Sequence, residues 1–101
     1  MKYEIEKTLV SSTCHITLKD NENLEVESES NTAPILLVYK YEQGFMIYIN
    51  PNEEVYNDQD VKDNYSTQLR DLLLIAKQNG CVYLKLDCDG TVYEHLETFD
   101  W

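Results

Sequence analysis

Basic residues are scarce in this chain. Eight Lys and Arg stand against nineteen Asp and Glu over 101 residues, a formal net charge of −11, and Arg70 is the sole arginine. A surface so poor in cations cannot neutralise phosphates, which excludes direct nucleic-acid binding, and it is repelled by anionic membranes. Long apolar runs are missing too. None approaches the ~18 residues of a membrane span, and the opening Met1-Lys2-Tyr3-Glu4-Ile5-Glu6 has no apolar signal core. Cys14, Cys81 and Cys88 are odd in number and lack framework spacing, which argues against a disulfide scaffold. Together these absences predict a cytoplasmic protein.

What the chain has in quantity is acid, and the acid is grouped. Asp20, Glu22, Glu25, Glu27 and Glu29 form one cluster without a base among them. Glu53, Glu54, Asp58, Asp60 and Asp63 form a second, interrupted by Lys62, and Asp87, Asp89, Glu94, Glu97 and Asp100 form a third. Such clusters keep a protein soluble, and they also attract basic partners, including proteins that themselves hold DNA or RNA. Leu, Ile, Val and Phe make up 27 residues, above the roughly 20% below which an acidic chain stays disordered. The expectation is one folded domain spanning residues 1–101.

Residues 7–13 read as a short β-branched strand. Residues 17–29 read as a helix of thin apolar content, capped by Thr17 with Asp20 near its positive end. Ala33-Pro34 punctuates. Residues 35–41 and 45–50 are apolar and aromatic runs joined by Glu42-Gln43-Gly44, a hairpin signal. Residues 51–64 are polar and acidic, and read as an irregular connection. The clearest element is a helix over 66–79, with Leu69, Leu72, Leu73 and Ala76 on one stripe and Gly80 as its stop. Residues 81–87 alternate as a strand, and Phe99 and Trp101 predict a tail that docks.

The order β-α-β-β-α-β predicts a ferredoxin-like α+β fold, an antiparallel sheet with two helices on one face. The uncovered face would then carry Tyr39, Tyr41, Tyr48 or Tyr83, depending on register. Tyrosines favour strands for their own sake, but an aromatic open sheet also suits a protein partner or a dimer.

Several motifs suggest chemistry and fit it poorly. Asp87-Cys88-Asp89-Gly90-Thr91 matches the Asp-x-Asp-Gly-Thr text of haloacid-dehalogenase phosphatases, where the two acids serve as nucleophile and acid/base beside magnesium. That family sets the motif early in a larger parallel sheet, with a lysine after it. Here only ten residues follow Thr91 and none is lysine, so an acidic turn is the better reading. An EF-hand needs its glycine two places later than Gly90. Cys81, Cys88 and His95 lack a Cys-x-x-Cys pair for zinc. Cys14 and His15, adjacent on an extended segment, point apart and do not make a nucleophile–base pair. No metal or cofactor is expected.

Ser12-Thr13-Cys14-His15-Ile16-Thr17, Gly44-Phe45-Met46-Ile47-Tyr48, residues 79–90 (with Asn79-Gly80-Cys81 and Asp87-Cys88-Asp89-Gly90) and Thr98-Phe99-Asp100-Trp101 occur in that order. In this the chain resembles a family of small uncharacterised proteins of bacterial plasmids and conjugative elements, over residues 12–101. The resemblance implies accessory work for a mobile element, such as disarming host defence. In size and charge the chain is similar to acidic inhibitors of type II CRISPR nucleases. The resulting expectation is a non-enzymatic anti-CRISPR that blocks guide-RNA or DNA loading. Glu25, Glu27, Glu29, Glu53, Glu54, Asp58, Asp60 and Asp63 would supply a phosphate-like field, and Tyr39, Tyr41 and Tyr48 contact area. The alternatives are a magnesium-dependent phosphatase or nuclease using Asp87 and Asp89, and a dimeric interaction module with no defence role.

Overall fold

A computed structural model describes residues 2–30 and 35–101, the side chain of Glu53 excepted. The first strand, β1 (Thr8–Ser12), ends where the Ser12 hydroxyl accepts the Cys14 N–H and starts a 3-10 turn over Thr13–His15. Helix α1 (Leu18–Ser28) then begins in a capping box. The Thr17 hydroxyl accepts the Asp20 N–H at 3.0 Å, and the Asp20 carboxylate accepts the Thr17 N–H at 3.1 Å. Two orphan donors are satisfied at once, so a helix with little apolar content still has a firm start. The expected break at Ala33-Pro34 lies outside the described residues.

The hairpin forms as expected from β2 (Val38–Tyr41) and β3 (Gly44–Tyr48). β2 starts later than residue 35 because the chain bends there, and the Ile35 N–H donates to the Glu27 carboxylate at 3.1 Å. Residues 51–64 differ from the irregular connection their polarity suggests. They hold a 3-10 turn, Glu53–Asn57, capped by Asn52, and a short helix α2, Gln59–Asn64, capped by Asp58. Tyr56, Val61 and Tyr65 are buried and anchor this stretch, and the Tyr56 hydroxyl accepts the Asn50 N–H at 2.8 Å. Three apolar residues so far apart form no stripe, which is why the pattern reads as a loop.

Helix α3 (Thr67–Gln78) starts at Ser66, whose hydroxyl accepts the Leu69 N–H. Leu69, Leu72, Leu73 and Ala76 are its buried face, the stripe expected from sequence. Strand β4 (Tyr83–Asp87) follows with Leu84 and Leu86 buried.

The four strands lie in the order β1-β4-β3-β2. The β1–β4 pair is parallel and the other two are antiparallel. The α2–α3 connection brings β4 back against β3 and alongside β1. The α+β class and the order of the main elements are those the sequence predicts and are compatible with a ferredoxin-like arrangement, but the sheet is mixed rather than antiparallel throughout, because β4 lies parallel to β1. By register, Leu9, Leu84, Ile47 and Val38 form one row of the core face, and Ser11, Leu86 and Phe45 another. Leu24 of α1 and the α3 stripe pack on that face. The opposite face carries no helix among the described residues. No helix there is long and apolar enough to cross a membrane.

Candidate interaction surfaces

The stretches that carry the first two acid clusters meet in space. Asp20 is buried, and besides closing its own capping box it accepts the Ser66 N–H at 2.8 Å and the Ser66 hydroxyl. One carboxylate therefore ties together the N-termini of α1 and α3. The Asn23 amide donates to the Asn64 carbonyl at 2.6 Å and holds α1 beside α2. The first half of α1 and the end of the 53–63 stretch are thus neighbours. Their acids are not equivalent. Glu25 pairs with Lys40 of β2, Glu27 holds Ile35, Asp58 caps α2, and Asp63 accepts from the Gln59 amide. Glu22, Glu29, Glu54 and Asp60 are exposed, and their carboxylates have no bonding partner among the described residues. The side chain of Glu53 lies outside the described residues.

The other surface is the uncovered side of the sheet. Alternation places Tyr39, Tyr41, Tyr48 and Tyr83 there together with Met46, Lys85 and Val10. Tyr48 stands directly opposite Tyr83, with ring centroids 6.1 Å apart at 71°, an edge-to-face pair. Tyr39 is 51% exposed and Tyr48 37%. The Tyr83 phenol is pushed up chiefly by the Glu6 carboxylate, with smaller contributions from burial and from Tyr39 and Tyr48. Tyr39, two residues from Tyr41 and paired with Met46, lies on the same face one strand over. At the end of the sheet Lys85 Nζ sits 5.6 Å from the centroid of the Tyr41 ring.

The Asp87-Cys88-Asp89-Gly90 segment closes β4. Asp87 Oδ2 accepts the Tyr41 O–H at 2.7 Å and Oδ1 accepts the Asp89 N–H at 2.8 Å. The Tyr41 bond, followed by the Asp89 bond, holds the Asp87 carboxyl below its ordinary range. Burial, and then the same bond, push the Tyr41 phenol up. Gly90 passes so close to β1 that a Cβ would lie 2.6 Å from the Ser11 carbonyl oxygen. At Gly44, across the hairpin, a Cβ would lie 1.8 Å from the Leu86 oxygen. Gly44 and Gly90 are thus close-approach positions, and Asp87 and Asp89 shape a turn. Ligand atoms of Asp87, Cys88 and Asp89 lie within 4.8 Å of one another. Both Asp87 oxygens are already engaged.

His15, at the corner between β1 and α1, has the tying role expected of a histidine there. Buried, it holds Glu97 O at 2.9 Å through Nδ1 and accepts the Tyr93 N–H at 2.8 Å through Nε2. Nδ1 therefore carries the proton in this arrangement. The tail docks further through Phe99 N–H to Cys14 O, 2.8 Å, and Trp101 Nε1 to Ile16 O, 2.9 Å. Cys14 and Cys88 are free thiols, one part-buried and one exposed.

Comparison with known families matches residues 8–101 to the family of unknown function DUF5983, C-terminal domain, and the chain belongs to that family. No curated protein and no solved structure matches the chain.

Proposed function

We propose that this family member is a non-enzymatic binding protein that docks on the basic, nucleic-acid-holding surface of a partner protein. In its most specific form the reading is an anti-CRISPR protein of a mobile element, acting in the bacterial cytoplasm by blocking guide-RNA or DNA loading on a type II CRISPR nuclease. The observation that carries it is the joining of the acidic helix α1 to the end of the acidic 53–63 stretch by the Asp20–Ser66 and Asn23–Asn64 bonds. Glu22, Glu29, Glu54 and Asp60 there have no internal bond, so their charge is available to a partner. A nuclease channel lined with Lys and Arg for phosphates is the complementary surface.

The test is competition. The protein, added to a type II CRISPR nuclease before guide RNA, should block complex assembly, and nuclease already holding its guide should be protected. Charge reversal of Glu29, Glu54 and Asp60 together should slow association more than it speeds dissociation. Inhibition that ignores guide occupancy and survives the reversal would defeat this reading.

A further inference from the structure

We propose that the uncovered tyrosine face of the sheet is the contact surface for an arginine-bearing segment of a basic protein partner. The proposal rests on the reading above only in taking that partner to be basic. Four features point to it. Tyr39, Tyr48 and Tyr83 form a contiguous aromatic platform with Met46 between Tyr39 and Lys85 in the same row. Exposed aromatic patches on a sheet are association surfaces, and tyrosine is among the residues that concentrate binding energy. The Asp87 carboxylate accepts from the Tyr41 hydroxyl on this face, and Glu6 acts electrostatically on Tyr83, so negative charge reaches the rings. Lys85 over Tyr41 shows that this face already seats a cation on a ring within the protein itself.

The charge selects the occupant. A second copy would bring another net charge of −11 against the first, which opposes pairing of like surfaces. A guanidinium fits better than an ammonium: it is planar, weakly hydrated, stacks on a phenol face and can fork onto a carboxylate at the same time. The acids of the helix side then set the rate of encounter, and the tyrosine face sets how long the complex lasts.

The probes are two nine-residue peptides, all arginine and all lysine, titrated into the ¹⁵N-labelled protein. The arginine peptide should bind several-fold more tightly, with its largest shifts at residues 39, 46, 48, 83 and 85. Serine at Tyr39, Tyr48 and Tyr83 together should weaken it roughly tenfold, three ring contacts being lost. Phenylalanine at the same three positions keeps the rings and should restore most of the affinity; an unchanged melting temperature verifies that each variant folds. Equal affinity for the two peptides, a footprint on α1 and α2 instead, or an indifferent serine variant overturns the proposal. So does a dimer in sedimentation that buries these tyrosines. The two readings fail separately. Arginine binding on the sheet without guide competition would leave this inference standing and remove the anti-nuclease function. Guide competition unaffected by the serine variant would do the reverse.

Discussion

The two sides of the molecule use their polar groups differently. On the helix side, acids are partly consumed by the architecture: Asp20 joins two helix starts, Glu25 meets Lys40, and Asp58 opens α2. On the sheet side, Tyr41 is bonded to Asp87, and Tyr39 and Tyr48 have no hydroxyl bond among the described residues. A charge count therefore overstates how much of the helix side is free for a partner. The tyrosine face is understated by composition, because only the register reveals that four tyrosines share it.

Substitutions should separate the two sides by the size of their effect on stability. Leu73→Ala, in the core under α3, should cost about 2–5 kcal/mol in chemical denaturation, as buried leucine deletions do. A near-zero cost would mean that α3 does not pack as described. Asp20→Ala should come next, roughly 2–4 kcal/mol, since it breaks the capping box of α1, takes the partner from the Ser66 cap of α3 and leaves the part-buried Ser66 and Thr17 N–H groups unpaired. If Ser66→Ala alone costs as much, the shared carboxylate is not the link. Tyr39→Ser on the open face should cost under about 1 kcal/mol, the usual scale for an exposed site; a core-sized loss would show that the face is covered.

Smaller still is the pH response of the Tyr41–Asp87 pair. Asp87 titrates below its ordinary value in the fold, so its contribution is present above the unfolded carboxyl value and fades as pH falls through the folded one. Tyr41→Phe should therefore narrow the stability gap between neutral and strongly acid solution, by a small amount because Asp87 is only part-buried at the end of its strand. In alkali the sign reverses for the phenol. Tyr41 is raised, so its contribution holds below the unfolded tyrosine value and is lost only above it, and Tyr41 should ionise after the exposed tyrosines. A difference spectrum in which Tyr41→Phe removes an early step of the phenolic titration, and not the last, would contradict that. The least effect is expected from chelation. EDTA should leave the melting temperature where it was, and a drop restored by zinc or magnesium would make Asp87, Cys88 and Asp89 a metal site after all.

What sequence made legible was local. The α3 stripe, the Thr17 cap and the hairpin at Gly44 each depend on residues a few positions apart and can be read from spacing; that the tail docks is legible from its aromatics, but where it docks, on Cys14 and Ile16, is not. The parallel β1–β4 pairing, the second partner of Asp20 and the anchoring of His15 by Tyr93 and Glu97 join residues 46 to 82 positions apart. No local pattern announces those. The helix at 59–64 was hidden for another reason: its few buried residues give tertiary packing the decision over propensity. The acid clusters were visible as text, but which of them are spoken for was not.

The tail has one more effect, on how copies of the protein meet. β1 is an outer strand, and such strands offer unpaired amides to any passing chain. Here Ser12 N–H is taken by Thr91 O at 2.8 Å and Val10 O by the Tyr93 hydroxyl. The tail thus works as a bumper along that border. β2, four residues long, is the border left open among the described residues. A sheet with a single open border can add one strand and then stop, so edge pairing ends in a closed couple and never grows into a fibre.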